Sequence, residues 1–203
     1  MATNGEGERA DIWHWKRDRG GPVGIVDDKY LDNAENGRHG DSGESTYSSN
    51  TQELEFNGEK VNAPAYWIPE RQDYHWIMQS DIEAGIAKKI VKMNKNGSLV
   101  DEDGKVLQPE NFYHGSPRVI PSVANIRMGS GSRADVKEAH NHDNGMWTLE
   151  IVRKRDTGDK EHDVQFTQKG IFYLFSVGIM DNQAIAHSTP GGFEGTAYKL
   201  TLR

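Results

Sequence analysis

"SRADVKEAHNHDNGMWTLEIVRK", residues 132–154, decides the fold class. Its last nine residues alternate, with Trp147, Leu149 and Ile151 on one face and polar residues between them. A period of two marks a half-buried strand. "SRADVKEAH" reads as its partner strand and "NHDNG" as the turn between them. Downstream, "DTGDKEHD" at 156–163 turns the chain. "GIFYLFSVGIMD" at 170–181 is apolar on both faces, which predicts a central buried strand. "AYKLTLR" at 197–203 predicts a last strand with Tyr198, Leu200 and Leu202 inward. Short strands joined by turns, without a βαβ rhythm, predict a mostly β chain folded as an antiparallel β-sandwich, with 147–153 and 171–180 as interior strands.

Working back toward the start, "DIWHWK" at 11–16 alternates too. Ile12, His14 and Lys16 point one way, Trp13 and Trp15 the other, toward the core. From Tyr30 to Lys60 the chain is rich in Gly, Ser, Asn and Glu and reads as a surface loop. "DIEAGIAKKIVKM" at 81–93 reads as a short helix or as a strand ending at "NKNG". Residues 29–120 together form a long irregular insertion on this reading, with 34–60 outside the core because it offers little apolar surface to offset ordering.

The chain has 203 residues, a length that fits one domain spanning 1–203. Its net charge of −7 argues against nucleic acid as a partner, because phosphate binding needs a basic face. No run of about 18 apolar residues predicts a transmembrane segment. With no cysteine, thiolate zinc sites, disulfides and cysteine nucleophiles are excluded. "MATNGEGERA" lacks an apolar signal core. Its abrupt passage into a strand at residue 11 suggests a domain excised from a longer protein. No nucleophile elbow, phosphate loop or H-E-x-x-H helix occurs, so a binding or electron-transfer role is expected rather than an enzymatic one.

Three stretches carry a resemblance: "DIWHWKRDRGGPVGIVDD" at 11–28 with its W-x-W-K, "GSRADVKEAHNHDNGMWTLEIVRKRDTGDKEHDVQF" at 131–166, and "GIFYLFSVGIMDNQAIAHSTPGG" at 170–192. In order and spacing they resemble the ethylbenzene dehydrogenase γ-subunit-like haem-binding domains, over about 11–28 and 129–203. The resemblance implies a β-sandwich of the DOMON and family 9 carbohydrate-binding kind. It also implies a non-covalent haem b, and periplasmic electron transfer with a redox partner protein or the subunits of a parent complex. It places one axial iron ligand after the central C-terminal strand, at His187, and the other upstream of Trp13, at or near Met1. Met78, Met128, Met146 and Met180 are internal alternatives to Met1.

Around that site, Trp13 and Trp15 read as core residues or as rings stacked on the cofactor. His14 is a candidate propionate partner or a solvated side chain, and Lys16 and Arg17 are candidate cations for propionates. His140, His142 and His162 invite a zinc reading, but a turn at 141–145 would not hold His140 and His142 on one face. Asp27, Asp28 and Asp32 are candidate oxygen ligands for calcium. Two other readings stand beside haem: a carbohydrate-binding module with Trp67, Tyr74 and Trp76 as its platform, and a cofactor-free interaction domain.

Overall fold

Two Asn-Gly dipeptides fold the chain back on itself. At Asn144-Gly145 both residues adopt positive φ, 50° and 77°. That is the type I′ geometry whose twist suits a two-residue hairpin. It joins β12 (Lys137–Asp143) to β13 (Met146–Val152), registered from Lys137 opposite Val152 to Asp143 opposite Met146. Asn57-Gly58 does the same, with φ of 53° and 86°, between β5 (Gln52–Phe56) and β6 (Glu59–Ala63).

The structure is a computed structural model that describes residues 9–32, 38–109, 120–180 and 197–203. It is mostly β, and among the described residues the named strands pair antiparallel, with one isolated parallel bridge between Met78 and Ile126. The chain divides into two units, Met1–Lys154 and Arg155–Arg203. In the first, β1 (Ala10–His14), β2 (Asp27–Leu31) and β3 (Arg38–Gly40) form a three-stranded sheet in that order. A four-stranded sheet runs β10-β9-β8-β7, from Val106–Leu107 through Leu99–Asp101 and Lys88–Met93 to Tyr66–Trp67. β4 (Ser48–Ser49) pairs with β11 (Val123–Ala124). The lone α-helix among the described residues, α1 (Gln79–Glu83), is short. Among the described residues no helix is long and apolar enough to cross a membrane.

The four-stranded sheet carries a buried core. Ala63, Trp67, Ile90, Leu99 and Leu107 form one buried cluster, flanked by Leu54 and Met93. A second joins Ile68, Ile77, Ala87 and Ala124. Burying one Ile or Leu fully is worth roughly 1.5–3 kcal/mol, so these clusters hold the unit together. The described residues between 29 and 109 are therefore strand-built and part of the core rather than irregular. The reading of 34–60 as outside the core fails over its described part, 38–60, for the same reason. Asn50 is 3% exposed, and its Nδ2 donates to the carbonyls of Tyr66 (2.9 Å) and Pro121 (2.8 Å) while its Oδ1 accepts from the Tyr66 amide (2.9 Å). A polar side chain so fully satisfied works as an internal strut.

Other expectations change as well. "NHDNG" is not all turn: β12 continues to Asp143, and only Asn144-Gly145 turns. The 81–93 segment divides after α1, where Gly85 at φ 66° ends the helix, and continues as β8. Trp13 is not core, being 37% exposed. β13 pairs with β12 alone in its sheet, and Trp147 remains 44% exposed. In the second unit β14 (Phe172–Phe175) pairs with β15 (Tyr198–Thr201). Phe172, Leu174, Phe175, Tyr198 and Leu200 are exposed, so 171–180 is not the buried central strand its composition predicts. Two-sided apolarity permits burial on both faces but does not supply the neighbours that would cover them.

Candidate functional site

β1 divides the candidate residues between two faces, as a strand must. On one face His14 stands opposite Asp27, Ile12 opposite Lys29, and, one strand further, Leu31 opposite Arg38. Asp27 is 4% exposed and takes Arg133 Nε at 2.9 Å and Lys29 Nζ at 2.9 Å. Burial pushes its carboxyl up, but the Arg133 and Lys29 hydrogen bonds and charges outweigh that and hold it below the usual carboxylate range. Around this one carboxylate the cations are in excess. Burial, then the charges of Lys16, Arg38 and Lys29, push His14 down from 6.5 to about 4, against the opposing pull of Asp27. Lys16 is also held below its ordinary value, by burial first and then by Arg19, Arg38 and Lys29. The result is a neutral imidazole inside a locally basic patch of an acidic chain.

Arg133 reaches this face because its loop is pressed against another. Gly131 has φ 70°, and a Cβ there would lie 2.2 Å from the Ser42 carbonyl oxygen. Gly43, at φ 122°, faces the Ser130 carbonyl in the same way, at 2.0 Å. Only glycine permits both the backbone conformation and the approach.

On the other face, Trp13 lies under Arg153, whose guanidinium carbon is 4.9 Å from the ring centroid. Arg153 Nη1 pairs with Asp11 at 2.7 Å and lies 3.5 Å from Asp28. The Arg153 and Asp28 side chains are 1% and 0% exposed. One turn of alternation along, Trp15 meets Trp147 edge-on at 5.5 Å and His140 at 5.4 Å. His142 lies against Trp147 at 4.6 Å. His140 Nδ1 is 3.0 Å from a Glu138 carboxylate oxygen. β12 is anchored beside β2 by Val26 N–H donating to Val136 O and Glu138 N–H donating to Gly24 O, both at 3.0 Å.

The structure thus brings Trp13, His14, Trp15 and Lys16 together, with Trp13 and Trp15 on one side and His14 on the other. Met1 and His187 lie outside the described residues. Arg17 pairs with Asp18 at 2.6 Å and stacks on Trp76 at 5.8 Å, so it is committed elsewhere. Met78 caps α1, and Met128 and Met146 are exposed, at 58% and 69%. The calcium set does not assemble. Asp27 and Asp28 are consecutive strand residues facing opposite ways, and Asp32 pairs with His39 at 3.2 Å. The carbohydrate platform fails as well, since Trp67 is 5% exposed and its Nε1 donates to Asp101 at 3.1 Å. A zinc site of His140 and His142 has no third ligand gathered round it among the described residues.

Sequence reasoning passed over Arg153, Glu138, Lys29 and Arg38. Arg153 was within reach of it: it follows Trp147, Leu149 and Ile151 at even spacing, so it shares their face. Lys29 and Arg38 needed the β2–β3 register.

Among known proteins, the family model for ethylbenzene dehydrogenase matches residues 1–190. The match runs through 29–120 as well as the stretches on either side. No curated protein and no solved structure matches the chain.

Proposed function

The chain belongs to the ethylbenzene dehydrogenase family, and from that premise we propose that it is a haem b-binding, electron-transfer domain of a larger periplasmic redox protein or complex. The match across residues 1–190 is the observation that carries the reading. The described cations suit such a group. A b-type haem needs flat apolar walls, cations for its propionates and side-chain donors to its iron. Trp15 and Trp147 form an aromatic surface on the opposite face of β1 from the cations and are not walls of the same site. Lys16, Lys29 and Arg38 crowd one face of the β1 sheet with positive charge, where carboxylates would relieve their mutual repulsion. His187 and a methionine at the position of Met1 would hold the iron. Bound there, haem would supply one-electron exchange between its ferric and ferrous forms. The protein's part is to exclude water, fix the ligands and set the local charge.

A second reading, a cofactor-free interaction domain, is favoured by the exposed apolar side chains of β14 and β15. The visible spectrum separates the two. Reconstituted protein should show a sharp Soret band with split α/β bands on reduction. His187→Ala should lose haem or turn the spectrum high-spin, while His14→Ala keeps the ligation. Lys16→Glu with Arg38→Glu should weaken haem uptake without changing the spin state. A chain that folds but never takes up haem refutes the proposal and leaves the interaction reading.

A further inference from the structure

The continuation of β12 through Asp143 places Glu138, His140 and His142 on one face of one strand, at successive even positions. The distance between Cα atoms two apart in a strand is about 6.6 Å. Two imidazoles so spaced can close on one ion, with N–metal distances of about 2.0–2.1 Å. A turn at these residues would have scattered them.

The rest of the arrangement resembles a prepared ligand. The Glu138 carboxylate accepts at its 3.0 Å contact, so His140 Nδ1 is the donor and Nε2 is the nitrogen left for a metal. The Glu138 side chain is 0% exposed while that of His140 is 26% exposed. A buried carboxylate therefore holds one edge of a partly exposed imidazole. A carboxylate behind a histidine fixes the ring and raises its basicity as a metal ligand. Two indoles limit the other freedoms: Trp15 and Trp147 lie 5.4 and 5.8 Å from His140, and Trp147 lies 4.6 Å from His142.

We propose that His140 and His142 chelate a borderline divalent transition-metal ion at this surface, with Glu138 as the positioning residue behind His140. Imidazole donors suit copper, nickel and zinc, and the order of intrinsic affinities puts Cu²⁺ first. Two protein ligands leave the remaining positions to water, so the ion is exchangeable rather than structural. The site uses no haem ligand, and its test is independent of haem.

The test is a Cu²⁺ titration of the full chain, followed by tryptophan fluorescence and by electron paramagnetic resonance. Trp147 and Trp15 should be quenched saturably at one ion per chain, and the spectrum should show coupling to two nitrogens. Zn²⁺ should compete without giving the resonance signal. His142→Ala and His140→Ala should each abolish the one-to-one phase. Glu138→Gln should weaken it on the order of tenfold while keeping both nitrogens. His75→Ala should leave it unchanged. His142 is exposed on its strand, so its variant tests the site even where His140→Ala disturbs the fold. Quenching that never saturates, or a binding constant unchanged by both histidine substitutions, overturns the proposal.

Discussion

Replacing Arg153 with Met keeps most of the side chain's length and removes its charge. Three contacts go at once: the 2.7 Å pair with Asp11, the 3.5 Å approach to Asp28 and the stack on Trp13. Asp11 and Asp28 stay behind with side chains 7% and 0% exposed. Removing one partner of a buried ion pair costs about 3–5 kcal/mol, because the remaining charge keeps its desolvation penalty. The lost cation–π contact lies within that range rather than on top of it. For a chain of this length each kcal/mol moves the midpoint by about 2–4 °C, so Tm should fall by roughly 6–20 °C. All five tryptophans lie at or before residue 147, so tryptophan fluorescence reports on the first unit. Urea unfolding read this way gives the free energy directly. Asp11→Asn should cost less, and the double variant should lose less than the sum of the two. A loss below about 1 kcal/mol for Arg153→Met would show that the buried network does not stabilise the fold, and the account of the second face would be wrong.

His14 gives a pH prediction. Its folded pKa of about 4 lies below its ordinary 6.5, so the unfolded chain binds a proton the folded one refuses. The neutral form stabilises fully above about 6.5; stability is lost as pH falls from there toward 4, and levels off below. After discounting for partial exposure the loss is on the order of 1–2 kcal/mol. His14→Gln should flatten that window, and a proton NMR titration that finds His14 ionising near 6.5 would refute the electrostatic account. Gly131→Ala should cost roughly 2–4 kcal/mol, from the positive φ and the clash with the Ser42 carbonyl. If that variant melts with the parent, the close approach of the two loops is not a constraint.

How much was legible in the sequence can be judged from particular stretches. Alternation at Trp147, Leu149 and Ile151, followed backward to Asn144-Gly145, located the β12–β13 hairpin, because a strand's side-chain period and a type I′ turn are both local properties. The same signal stood at Asn57-Gly58, flanked by "QELEF" and "EKVNA". It was outweighed by the polarity of the segment, since a hairpin with charged outer faces looks like a loop by composition. Asn50 reads as a loop residue for the same reason. Its burial depends on a partner far away in sequence, the Pro121 carbonyl to which its Nδ2 donates.

The sequence by itself determined the antiparallel β class, the family and the grouping of Trp13 to Lys16. Each rests on local pattern: period two, turn chemistry and the order of short motifs. Only the tertiary structure decided what those residues face. It set Trp13 under Arg153 rather than in the core and surrounded His14 with cations from β2 and β3. It also extended β12 so that His140 and His142 share a side. Strand periodicity fixes which residues point together, but the element opposite is chosen by long-range packing, which no local pattern encodes.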